Sequence, residues 1–162
     1  MLKIIGIDPA TKDSGYAILD GNGSHIESGR VRKGKDMGEG EGYLFHFSKY
    51  KEMIEKHNVT HIACEDQFGS VNRDTFKKLS RMTGCVLMMA SDSDIPLKMY
   101  YPSQWRLKTH KAGNVDKEFT RAWANKKYNL EIKKSHNDIS DAIGIAYAGY
   151  LDIKADDFES IN

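Results

Sequence analysis

The chain has 162 residues, enough for one domain with a real core, and its 40% hydrophobic and 29% charged content is that of a globular protein. Two cysteines in apolar stretches, Cys64 and Cys85, argue against a disulfide framework or a zinc site and read as buried thiols in a reducing compartment. No apolar run approaches the roughly 18 residues that span a bilayer, and no basic-flanked leader precedes the first strand, so the expectation is a cytoplasmic protein with no membrane partner. The net charge of +1 conceals segregation: Lys98 to Lys134 holds ten basic residues against three acidic ones, a candidate phosphate-facing surface whose plain alternative is a solvated basic helix face.

In chain order, Ile4 to Ile7 form a short apolar, β-branched run that ends in Asp8 and Pro9, the composition of a buried strand delivering a carboxylate to the mouth of a sheet. After a turn through Thr11 to Ser14, Gly15 to Leu19 reads as a returning strand, and Ser24 to Arg32 as a third. Gly34 to Gly42 is a charged, glycine-rich loop, and Tyr43 to Ile54 repeats every three or four residues as an amphipathic helix closed by His57 and Asn58. Val59 to Cys64 is the next strand, again ending in acid at Glu65 and Asp66.

Asn72 to Ala90 carries a helical stripe, Pro96 to Tyr101 a fifth strand, Ser103 to Arg106 a short capped helix, and Asp116 to Tyr128 a basic helix. Trp105 and Trp123 sit at helical positions and read as core or dimer contacts. The last helix, Ser135 to Leu151, places Asp138 and Asp141 at i and i+3 near its N-terminus, where the helix dipole also favours acids. The domain is expected to cover residues 1–152, with 153–162 a flexible, frayed acidic tail.

Asp8, Glu65, Asp138 and Asp141 each lie where an element begins or ends. Four acids converging without a cation would repel one another and force some to protonate. Together they imply oxygen-ligated divalent metal, Mg2+ with Mn2+ as a substitute, and two such ions about 4 Å apart suit a phosphodiester.

Gly6-Ile7-Asp8-Pro9 with Gly15-Tyr16-Ala17, then Glu65-Asp66-Gln67-Phe68, then Asp138-x-x-Asp141-Ala142-Ile143-Gly144, resemble in order and spacing the RuvC family of Holliday-junction resolvases, over about residues 3 to 150. The resemblance implies an α/β, ribonuclease H-like fold with a five-stranded mixed sheet and helices on both faces. It also implies a homodimeric Mg2+-dependent endodeoxyribonuclease that nicks two opposed strands of a four-way DNA junction.

By matching position, Asp8, Glu65, Asp138 and Asp141 resemble the family's catalytic metal ligands, Phe68 its base-stacking aromatic, and Arg106 and Lys117 its basic residues near the scissile phosphate. Lys117 is taken as catalytic as well as DNA-binding, and His136 as a candidate beside the metals. Ala10 stands where many members have glycine, and Arg106 where lysine is usual.

An actin-like or sugar-kinase-like domain also opens with a strand, an Asp and a hairpin, but needs a second phosphate loop for which this length leaves no room. Still open are a broader nuclease cutting forks, flaps and other branched DNA and, as a lesser reading, a non-catalytic junction-binding protein. A branch-migration partner has no sequence signature.

Overall fold

The computed structural model describes residues 1–67, 69 and 72–162. Its strands are β1 (Lys3–Asp8), β2 (Asp13–Asp20), β3 (His25–Arg32), β4 (His61–Glu65) and β5 (Leu97–Tyr100). Its helices are α1 (Glu39–His57), α2 (Arg73–Asp92), α3 (Pro102–His110), α4 (Lys117–Tyr128) and α5 (Asn137–Lys154), the last preceded by a 3-10 turn, Lys134–His136. The strands form one mixed sheet in the order β3-β2-β1-β4-β5. β1, β2 and β3 pair antiparallel, whereas β4 runs parallel to both β1 and β5.

Central β1 is apolar from Ile4 to Ile7 because both of its faces are covered there. Ile5, Ile7, Ile18 and Cys64 pack with Tyr50 and Ile54 of α1 and Val86 and Met89 of α2. Ile4, Ala17, Leu19 and Ala63 pack on the other face with Trp105 of α3, Ala124 of α4 and the small residues of α5. Helix α5 lies unusually close to the sheet. A Cβ on Gly6 would come within 2.3 Å of the Ala142 carbonyl oxygen, so glycine is required where β1 passes beneath the helix. Among the described residues no helix is long and apolar enough to cross a membrane.

Several boundaries depart from the sequence reading. Helix α1 begins at Glu39, inside the glycine-rich stretch, because the Glu41 carboxylate accepts the Gly38 amide at 2.8 Å and caps the first turn. Helix α3 extends to His110. The acidic C-terminal segment is not frayed: the Ile161 amide donates to the Leu97 carbonyl at 2.9 Å, the Asn162 side-chain amide donates to the Ile95 carbonyl at 3.0 Å, and Phe158 meets His61 edge-on at 5.1 Å. Edge strand β5 supplies unpaired backbone groups, and the tail satisfies them. Asp152 is 2% exposed and held by Tyr100, Lys98 and Lys108, which draw its carboxyl below the usual aspartate range against the opposing effect of burial.

Candidate active site

Strand alternation decides where the first acid points. Ile5 and Ile7 enter the core beneath α1 and α2, so Asp8 shares the parity of Ile4 and Gly6 and faces α5. The same parity applies to β4, where Ala63 faces α5 and carries Glu65 with it. Because Ile7 pairs with Cys64 in the parallel register, Asp8 and Glu65 end neighbouring strands, whose backbones lie about 4.8 Å apart. A sheet's carboxyl edge next to a helix start is where α/β folds commonly form clefts.

Helix α5 brings the second pair. Gly15 stands opposite Asp8 in the β1–β2 register, and a Cβ there would meet the Asp138 carbonyl oxygen at 1.9 Å. The first turn of α5 therefore rests on Gly15, with Asp138 at the rim and Asp141 one turn deeper, only 3% exposed. Asp8, Glu65 and Asp138 line a cleft of about 660 Å3 together with the cations Lys12, Arg30, Lys78, Lys117 and Lys134.

Each acid of the three outside β1 has a partner. The buried Trp105 donates its indole N–H to Glu65 Oε2 at 2.7 Å. Arg30 donates from Nε to Asp138 Oδ2 at 2.6 Å and pairs through Nη2 with Asp13 Oδ2 at 3.1 Å. Lys117 Nζ lies 3.9 Å from Asp141 Oδ2. Burial pushes the Asp8 carboxyl well above the usual aspartate range, Glu65 and Asp141 push it further, and Lys117 opposes them. Burial likewise raises Glu65, against the Trp105 hydrogen bond and the charges of Arg106 and Lys117. Asp141 rises to about 6, chiefly by burial, with Lys117 lowering it and Glu65 raising it.

Among the described residues no three His, Cys, Asp or Glu side chains are arranged to enclose an ion, since Glu65 is turned to Trp105 and Asp138 to Arg30. The donor chemistry nevertheless fits a hard divalent cation. All donors are carboxylate oxygens, the proton affinity of three of them is raised, and Asp141 Oδ1 is buried with no hydrogen-bond partner.

The remaining sequence candidates fall in different places. Lys117, the first residue of α4 after the Asp116 cap, lines the cleft. Arg106 does not line it: the guanidinium lies 5.0 Å from the Trp105 ring centroid, and its charge lowers the proton affinity of Glu65 and Asp141. His136 sits at the start of α5 but is not among the cleft-lining residues, although Ser135 and Asn137 on either side are. Phe68 lies outside the described residues. Arg30, Asp13 and the Trp105 indole were not singled out as site residues from sequence. An arginine on a half-exposed strand and a tryptophan at a core position carry no local mark of a carboxylate partner.

The family model described as "Crossover junction endodeoxyribonuclease RuvC" matches residues 4–148. The chain is 30% identical over 156 residues to the crossover junction endodeoxyribonuclease RuvC of Aliarcobacter butzleri, covering 90% of this chain and 96% of that protein. It is 26% identical over 146 residues to the protein of the same name from Protochlamydia amoebophila, covering 88% and 87%. Among solved structures, T. thermophilus RuvC in complex with a Holliday junction substrate superposes with a TM-score of 0.86 at 19% identity, over 99% of this chain and 100% of that one. The matched segment contains both strand-end acids and both α5 acids, and so the whole of the carboxylate cleft; the chain belongs to the RuvC family of crossover junction endodeoxyribonucleases.

Proposed function

We propose that the protein resolves four-way DNA junctions by paired nicks across a homodimer, through Mg2+-dependent phosphodiester hydrolysis. The carrying observation is the convergence of Asp8, Glu65 and Asp138 on one cation-rimmed cleft, with Asp141 buried behind them. Two Mg2+ or Mn2+ ions held by Asp8, Glu65, Asp138 and Asp141 would supply Lewis-acid activation of water and stabilisation of the leaving oxygen. The chain's own groups do the rest. Trp105 orients Glu65 and works against the rise that burial imposes on its proton affinity, Lys117 offers positive charge where the phosphorane-like transition state gains negative charge, Arg30 orients Asp138, and Lys134 holds the backbone in the cleft.

A two-fold assembly places one cleft on each of two opposed strands. A second copy has a surface to meet: an apolar groove on α1 and α2 lined by Tyr43, Leu44, Phe47, Cys85 and Met88, with Leu44 64% and Met88 70% exposed. The free thiols Cys64 and Cys85 suit a reducing, cytoplasmic setting.

The test is cleavage of a labelled four-way junction with Mg2+ or EDTA, beside three-way, flap and linear duplex DNA, for wild type and Asp8→Asn. Paired nicks confined to the four-way junction and lost in EDTA and in the variant are expected. Equal cutting of every branched substrate would remove the junction selectivity, and metal-independent or absent cutting would remove the nuclease.

A further inference from the structure

The catalytic cleft does not close at its β1–β2 side. A second groove, about 430 Å3 in volume, is lined by Thr11, Lys12, Arg32, Lys33, Gly34 and Lys35. Thr11 and Lys12 also line the catalytic cleft, so the turn between β1 and β2 is a wall common to both. We infer that this second groove is a binding site for the sugar–phosphate backbone of the DNA strand as it leaves the catalytic cleft.

The groove is built on fixed backbone. Asp13 pairs with Arg32 in the β2–β3 register, and the Lys33 amide donates to the Lys12 carbonyl at 3.1 Å, so the turn and the exit of β3 are tied to each other. Its lining contains four cations and no acid. In a chain with 24 Lys and Arg against 23 Asp and Glu, an acid-free groove of four cations is not a by-product of a basic composition.

The four differ in what they have left to offer. Arg32 is paired with Asp13, and Lys33 donates to the Met37 carbonyl at 3.0 Å, which orients its ammonium without neutralising it. Lys12 and Lys35 are exposed and make no side-chain hydrogen bond or ion pair among the described residues. They are the groove's cations without a hydrogen-bonded partner, although the charge of Lys12 also reaches Asp13. No aromatic ring and no Asn, Gln or carboxylate lines it, so it has neither a stacking platform nor a group that reads base edges. What remains is recognition of phosphate charge, independent of sequence.

This site rests on the DNA-nuclease reading, and the experiment separates the two. Binding of a fluorescently labelled four-way junction is measured in EDTA, over a salt series, for wild type and for Lys12→Ala/Lys35→Ala. The comparison variant is Lys3→Ala/Lys154→Ala. Lys3 opens β1 at the end opposite Asp8, and Lys154 closes α5 at the end opposite Asp138.

The Lys12/Lys35 variant is expected to bind about tenfold more weakly at moderate salt, with the slope of log affinity against log salt shallower by roughly 1.8, which is two phosphate contacts on duplex DNA. Lys12→Arg/Lys35→Arg is expected to restore both. Neutral methylphosphonates placed singly along the cut strand should then mark one short window on one side of the scissile phosphate, present in wild type and lost in Lys12→Ala/Lys35→Ala. Losses no larger than those of the Lys3/Lys154 variant, or an unchanged methylphosphonate window, overturn the groove assignment while leaving the nuclease reading intact. A wild type that binds the junction no better than linear duplex overturns the function reading instead.

Discussion

Asp141→Asn should make the metal-free protein more stable at neutral pH while abolishing cleavage. The Asp141 carboxyl is 3% exposed, its Oδ1 has no hydrogen-bond partner, and its proton is held up to about 6 against the ordinary 3.8. A folded-state value raised for an acid means that the native state binds the proton more tightly than the unfolded chain. Its contribution is therefore most favourable below about pH 4 and is lost as pH rises through about 6. The difference corresponds to about 3 kcal/mol of destabilisation by the ionised carboxylate at pH 7. Asparagine removes that charge but leaves a buried amide short of partners, at a cost of about 1–2 kcal/mol. The net gain is about 1–2 kcal/mol, or roughly 2–8 °C in Tm for a chain of this size. The assay is thermal unfolding in EDTA across pH 4 to 8, repeated with Mg2+. Wild type should lose stability relative to the variant between pH 4 and 6, and Mg2+ should narrow the gap by neutralising the acids. A variant less stable than wild type at pH 7.5 in EDTA, or one with the same pH slope, would refute the account of Asp141 as a carboxylate held ionised at the fold's expense.

Trp105→Phe removes the donor 2.7 Å from Glu65 Oε2. That hydrogen bond favours the ionised carboxylate, so without it the Glu65 proton should be held more tightly and the acid limb of the cleavage rate at limiting Mg2+ should move to higher pH; an unmoved limb would remove Glu65 from the reaction. Gly15→Ala drives a methyl group into the Asp138 carbonyl, 1.9 Å from the added Cβ, and should cost about 1–3 kcal/mol or more in unfolding free energy. Because the displaced backbone is the first turn of α5, cleavage should fall far more than junction binding, and a variant that cuts at the wild-type rate would show that Asp138 is not positioned this way. Leu44→Asp with Met88→Asp puts two charges into the apolar α1–α2 groove and should convert dimer to monomer in light scattering, with paired nicks giving way to single ones. Retention of the dimer would place its interface elsewhere.

The layout of the cleft was legible wherever an acid interrupts an apolar pattern. Asp8 ends the run Ile4 to Ile7 and Glu65 ends Val59 to Cys64, and strand parity alone then sends both side chains to one face of the sheet. Asp138 and Asp141 stand at i, i+3 at a helix start, a spacing the helix dipole explains equally well, so their place beside Asp8 and Glu65 came from the family resemblance. The partners of these acids were not legible. Arg30 comes from a strand edge more than a hundred residues from Asp138, and Trp105 is a core residue that uses one N–H for the site. The docked C-terminus was missed for a related reason: Asn162, Ser160 and Ile161 satisfy backbone groups of β5, and backbone has no sequence signature.

The glycines of β1 and β2 connect fold to chemistry more directly than the acids do. Carboxylates at the ends of β1 and β4 can meet those of α5 only if the helix axis descends onto the sheet. Gly6 under Ala142 and Ala146, and Gly15 under Asp138, are the positions where side chains would hold it off. Gly149 repeats the device near the far end of the helix, against Ile4 and Ala63. Close approach leaves no room for water to solvate Asp141, and the resulting rise in its proton affinity is the electrostatic cost of bringing four acids together. A divalent cation lowers that cost most where the acids are most crowded. The same packing that destabilises the metal-free site would therefore favour the proposed metal in it, and widening the β1–α5 gap should weaken cation binding as it relieves the strain on the acids.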